Sequence, residues 1–297
     1  MQREASAGEL TGARSMLASD WGATRRKVVD QIMFGVVIAC AAFGVAILAI
    51  ILLDVLMKGA PAINLAFFTD RPLPLGEAGG GVAPAIIGTL LMLVVAALIG
   101  VPIGVGTAIY LAEYGRGRLA TAVSYTIDML AGVPSIVVGV FVWAVVVRNV
   151  FGAFSGLAGA IALALIMIPI ITRTVEEMLR LVPDTFREAS LGLGVSRAKT
   201  ILFVVLPTAK AGIVTGVILA TARAGGETAP LVLTALGNQF FNWDLRQPMA
   251  ALPLQIYSYA SSPYADWHTK AWGSALVLII VIGILSFLTR LATRNRS

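Results

Sequence analysis

Long stretches without charge constrain this chain more than any other feature. From Gln31 to Leu53 there is no charged residue. A helix rises 1.5 Å per residue, so about 20 mostly apolar residues cross the hydrocarbon layer of a bilayer. Gln31–Leu53 meets that requirement. So do segments within Val82–Ala112, over Met129–Val147, about Leu157–Thr172, about Lys210–Leu236 and over Ala271–Thr289. The expectation is an all-α polytopic membrane protein with six transmembrane helices. Composition agrees: 58% of residues are hydrophobic and 13% charged, against about a quarter charged in soluble domains. The bilayer is therefore the chain's main solvent.

The basic residues carry topology. A net charge of +6 in a soluble protein would point to nucleic acid. Here the charges fall between apolar runs, so nucleic acid is not an expected partner. Arg25, Arg26 and Lys27 precede the first run, and Arg116 and Arg118 follow the second. Arg173, Arg180, Arg187, Arg197, Lys199 and Lys210 lie between the fourth and fifth, and Arg290, Arg294 and Arg296 close the chain. The alternate loops hold only Lys58, Arg71, Arg148, Arg246 and Lys270. The positive-inside rule then places both termini in the cytoplasm. Residues 1–27 read as a polar cytoplasmic tail and residues 28–297 as the membrane domain. The tail and the length of the first run argue against a cleaved signal. Cys40 is alone, so no disulfide can form within the chain, and His268 has no second histidine to share a metal with.

Two outer loops are long. Lys58–Gly81 carries several prolines and Gly79-Gly80-Gly81, which predicts irregular, exposed chain. Gly237–Lys270 carries Trp243, Tyr257, Tyr259, Tyr264 and Trp267, aromatics suited to a membrane interface, with a short helix expected at Met249–Tyr259. Pro84, Pro102, Pro134, Pro169 and Pro230 fall within the apolar runs, where proline kinks helices and marks cavities.

The inner loop of about residues 176–207 is the most informative. Pro183 suits the first turn of a short helix. Gly192 and Gly194 permit positive φ, and Ser196 is placed to cap a second helix running to a kink at Pro207. The result is a helix–turn–helix elbow on the cytoplasmic surface. It could fold against its own bundle or receive a partner. Glu188-Ala189-Ser190, Gly194 and Val204-x-Leu206-Pro207 resemble the EAA loop of binding-protein-dependent ABC importer permeases, with Ser in place of the third residue, Ala. The resemblance implies that Glu188, Ala189, Ser190 and Gly194 form a coupling helix for an ATPase subunit.

Ala222-Arg223-Ala224-Gly225-Gly226-Glu227-Thr228-Ala229-Pro230 is the second constellation. Arg223 and Glu227 are four apart and would share a helix face. Arg223 lies about 24 Å along an ideal helix from Pro207, well inside the membrane. An ionised pair facing lipid is costly, so it faces protein or water. It is either an ion pair that fixes packing or an anion-binding point, for which the planar guanidinium fork is suited. The stretch resembles the signature of the PstA-type family of phosphate permease subunits. Leu111-x-Glu113-Tyr114, Gly132-Val133-Pro134-Ser135 and Gln247-Pro248-Met249 also resemble that family.

The resemblance implies a type I ABC importer permease of the MetI-like fold. It implies Arg223, Glu227 and Arg173 as substrate-pathway residues, although Arg173 reads equally as a positive-inside anchor. It implies a homologous second permease subunit, two ATP-binding subunits and an extracytoplasmic phosphate-binding protein in a bacterial plasma membrane. The chain has no Gly-x-x-x-x-Gly-Lys-Ser/Thr phosphate cradle, so ATP and magnesium are expected on the partner ATPase and no enzymatic activity on this chain. The alternatives are a permease for sulfate or molybdate, or an ATP-independent channel or secondary carrier. The inverted repeats that would favour a carrier are not found.

Overall fold

The computed structural model describes residues 2–74, 77 and 79–294, so Arg296 lies outside the described residues. They form helices and connecting turns, with no strand among them. The chain divides into two compact units, residues 1–54 and residues 55–297. Helix α1 (Gln2–Gly59) accounts for the described part of the first and runs on into the second. It is helical through the polar residues 2–27 as well as the apolar run.

The second unit opens with α2 (Leu65–Thr69), capped by the Asn64 side chain, which accepts the Phe67 N–H at 2.8 Å. Phe67 is buried, so residues 58–74 are more ordered than their prolines predict. Helix α3 (Ala83–Ile109) continues through a π-helical turn to Tyr114. Next come α4 (Gly117–Gly132), α5 (Ser135–Val142) with a π-helical extension to Phe151, and α6 (Gly156–Arg180). Then follow α7 (Asp184–Gly192), α8 (Arg197–Thr200), a π-helical turn at Ile201–Val205 and α9 (Leu206–Gly225). Helices α10 (Ala229–Thr234), α11 (Leu252–Ala260) and α12 (Ala265–Arg294) complete the chain.

Helix α6 is the axis of this unit: 72% of its apolar window is buried. Helix α3 lies along it, with Gly100 and Gly104 against Ala164, Met167 and Ile171. The Thr172 hydroxyl donates to the Gly104 carbonyl at 3.2 Å. Apolar side chains gain little by leaving lipid for protein. Close packing of small residues and interhelical hydrogen bonds of about 0.6–2 kcal/mol hold such helices together.

Two of the expected spans are not straight. Met129–Val147 is broken at Val133–Pro134, and its two halves, Gly117–Gly132 and Ser135–Phe151, meet at a bend of 106°. Pro134 stands at the N-cap of α5, where its missing N–H costs nothing. Lys210–Leu236 is likewise interrupted after Gly225, and Pro230 opens α10. Of the prolines expected inside spans, only Pro102 and Pro169 are helix-internal; Pro84 sits in the first turn of α3. The described residues thus contain five helices able to span, or six if the bent pair is one crossing.

Candidate functional site

The elbow is built as an inner face and an outer face. Gly194 lies at φ +79°, a left-handed conformation that costs an L-residue with a side chain about 1–2 kcal/mol. Its N–H donates to the Leu191 carbonyl at 2.9 Å and the Val195 N–H to the Ser190 carbonyl at 3.2 Å, which reverses the chain after α7. The Ser190 and Thr200 hydroxyls are 2.9 Å apart and buried, tying the two arms together. Glu188, Ala189 and Gly194 are exposed, as are Leu181, Phe186, Leu191 and Leu193.

Four local expectations change. Gly192 is the last helical residue of α7 and does not have positive φ. Ser196 precedes α8 with its side chain making no cap bond, while its carbonyl accepts the Thr200 N–H at 2.9 Å. Pro183 is the N-cap of α7 rather than a residue of its first turn. Before Pro207 the chain opens into the π-helical turn, so the proline falls at the start of α9.

A cluster that sequence reasoning did not assign lies beneath the elbow. Arg187 donates from Nη2 to Glu113 Oε1 at 2.7 Å and from Nε to the same oxygen at 3.1 Å. It also donates to the carbonyls of Val182 at 2.6 Å and Leu179 at 2.8 Å, and to Asp184 at 3.2 Å. The Glu113 side chain is only 5% exposed. Its hydrogen bonds hold the Arg187 guanidinium above its ordinary pKa, outweighing burial, which acts the other way. Arg197 donates to the Glu113 carbonyl and lies over the Tyr114 ring, 4.8 Å from its centroid. The family resemblance marks Leu111-x-Glu113-Tyr114, but nothing in the sequence signals Arg187 as its partner.

Arg173 is heavily engaged. Its Nε donates to Asp128 at 2.9 Å, Nη1 to Glu176 at 2.7 Å, and Nη2 to the Ser124 carbonyl and hydroxyl at 2.9 and 2.8 Å. Arg180 bonds the other Glu176 oxygen at 2.7 Å. The network joins α6 to α4.

Arg223 is in a different situation. It occupies the last turn of α9, and Glu227 follows the helix end, so the pair does not share a helix face as the spacing predicted. Nε and Oε1 are 4.0 Å apart, beyond hydrogen-bond reach, and the side chains are 62% and 14% exposed. The break at residues 226–228 is held from behind. Helix α5 presses Gly139 against Pro230, where a Cβ would come within 2.7 Å of the proline Cα. Gly225 meets Ile282 of α12 and Leu93 of α3. A barely paired guanidinium beside an unwound segment can bind an oxyanion; Arg173 has few donors left to offer one. The structure places Arg173 and Arg223 in separate constellations: Gly216 of α9 packs on Thr174, about 10 Å along the helix from Arg223.

Known proteins fit this geometry. The family profile described as binding-protein-dependent transport system inner membrane component matches residues 100–295. The phosphate transport system permease protein PstA of Haemophilus influenzae is 43% identical over 91% of this chain and 96% of its own. That of Yersinia pestis is 43% identical over 89% and 90%. PstA 1 of Mycobacterium tuberculosis H37Rv is 45% identical over 73% and 72%. Among solved structures, an inward-facing MetNI methionine ABC transporter chain superposes with a TM-score of 0.58 at 21% identity, over 73% of this chain and 94% of that one. This last match speaks to the fold alone.

Proposed function

This chain belongs to the binding-protein-dependent transport system inner membrane components, in the phosphate permease PstA family, and from that membership we propose how it works. It is the permease subunit of an ATP-binding-cassette importer that carries inorganic phosphate across the plasma membrane. Energy comes from ATP and magnesium bound on two partner ATPase subunits. A homologous second permease subunit completes the passage, and an extracytoplasmic phosphate-binding protein delivers the anion. Both termini face the cytoplasm.

The observation that carries the pathway assignment is the exposure of Arg223. At membrane depth a charged side chain turned to lipid costs at least about 2.5–3.5 kcal/mol, yet Arg223 is 62% exposed and not hydrogen-bonded to Glu227. It faces a wet route bounded by the second permease. Glu227 tempers its grip so that phosphate is released. On the inner side, the exposed Glu188, Ala189 and Gly194 with Phe186 and Leu193 are the surface offered to the ATPase. Closure of the ATPase pair is transmitted there as rigid-body motion.

The test is phosphate uptake by cells that depend on this importer. Arg223→Ala is expected to lower uptake at least about tenfold, equivalent to one charge-assisted hydrogen bond, with the subunit still inserted and bound to its ATPase. Normal uptake by that variant would refute the pathway assignment.

A further inference from the structure

The cluster under the elbow has no part in binding phosphate or ATPase as described, yet it is among the most heavily bonded sites in the chain. Helices α6 and α9 are joined to the elbow by the chain itself. Helix α3 is not. Among the described residues, the hydrogen bonds between the elbow and the end of α3 all run to Glu113: three from Arg187 on α7 to its carboxylate, with Nε reaching both oxygens, and one from Arg197 on α8 to its carbonyl. The Arg197 guanidinium also stacks on Tyr114. Both arms therefore hold one residue.

The middle of α3 reaches the substrate side. Leu93 touches Gly225 beside the break that carries Arg223 and Glu227. Glu113 and Leu93 are twenty positions apart on continuous helix, a rod of about 30 Å. The rod is stiffened along its length by its packing against α6.

We propose that Glu113 is a positioning residue, gripped by Arg187 and Arg197, through which α3 is held to the elbow, so that Leu93 on α3 moves in step with the helix break that α9 carries at Gly225. This rests on the importer reading above. The carboxylate is the right group for the task. It accepts three hydrogen bonds from one planar guanidinium, which fixes orientation as well as distance. Its burial keeps solvent from loosening the pair. When the ATPase displaces the elbow, α6 and α9 follow covalently and α3 follows through Glu113.

The test uses the complete importer, with both permease subunits, ATPase and binding protein in proteoliposomes, and reads phosphate accumulated per ATP hydrolysed. A purely structural role would lower transport and hydrolysis together and leave that ratio unchanged. Glu113→Gln keeps the size of the side chain and removes its charge. The expected result is near-normal hydrolysis with the ratio reduced about tenfold, within the usual range of intersite coupling. Arg187→Lys, which keeps charge but loses the fork, is expected to fall between. Where Glu113→Gln does not accumulate in the membrane, Glu113→Asp replaces it and must show the same fall. An unchanged ratio, a proportional loss of both activities, or failure of both variants to insert overturns the proposal. The wild-type complex separates the two claims: if it does not accumulate phosphate with ATP, the phosphate reading falls; if it does and the variants keep its ratio, only the role of Glu113 falls.

Discussion

Arg173 donates hydrogen bonds to Asp128, Glu176 and Ser124, whereas Arg223 stands 4.0 Å from Glu227 with no hydrogen bond between them. Both arginines were candidate pathway residues, with Arg173 reading equally as a positive-inside anchor; their surroundings separate them. Arg173 is engaged where α6 meets α4, and its removal leaves Asp128 without that partner and Glu176 with Arg180 alone. Arg173→Ala is therefore expected to lower stability by about 2 kcal/mol, the scale of a hydrogen bond to a charged group, read as a lower unfolding temperature of the purified complex. Arg173→Lys recovers only part, because an ammonium cannot serve three partners in a plane. Native stability in Arg173→Ala with uptake abolished would instead make it a pathway residue.

At the scale of elements, hydropathy reports length and apolarity but not direction. The runs at Gln31–Leu53 and Ala271–Thr289 lie within helices that hold no proline, and the Val82–Ala112 run is helical from Ala83 on, passing through Pro102. Met129–Val147 and Lys210–Leu236 read equally well as spans, yet each is broken where proline begins a new helix, at Pro134 and Pro230. The elbow was legible because glycine at position 194 and proline at 183 and 207 punctuate it locally. Arg187–Glu113 was not, since its partners are 74 residues apart and neither run of sequence signals the other. Gly194 offers an element-scale test. A Cβ there meets nothing within 4 Å, so only its φ of +79° opposes substitution. Gly194→Ala should weaken ATPase retention on the purified permease about five- to thirtyfold through strain of about 1–2 kcal/mol in the elbow. Gly194→Asn should do less harm, because Asn tolerates this conformation. Equal retention by Gly194→Ala would show that the turn can change without affecting docking.

As a whole, the second unit is a bundle around α6 with two polar constellations at its ends. On the proposed function, the elbow, tied by Ser190–Thr200 and Arg187–Glu113, is where force enters, and the break after Gly225 is where an anion meets Arg223. Family membership supplies the partners that such a division of labour needs, because this chain carries no nucleotide cradle. The most direct measurement is accumulation of labelled phosphate in proteoliposomes holding this subunit, its partner permease, the ATPase pair and the binding protein. Accumulation should require ATP, stop when the ATPase subunits are omitted, and persist in excess sulfate. Accumulation without the ATPase, or suppression of phosphate uptake by equal sulfate, would contradict the account.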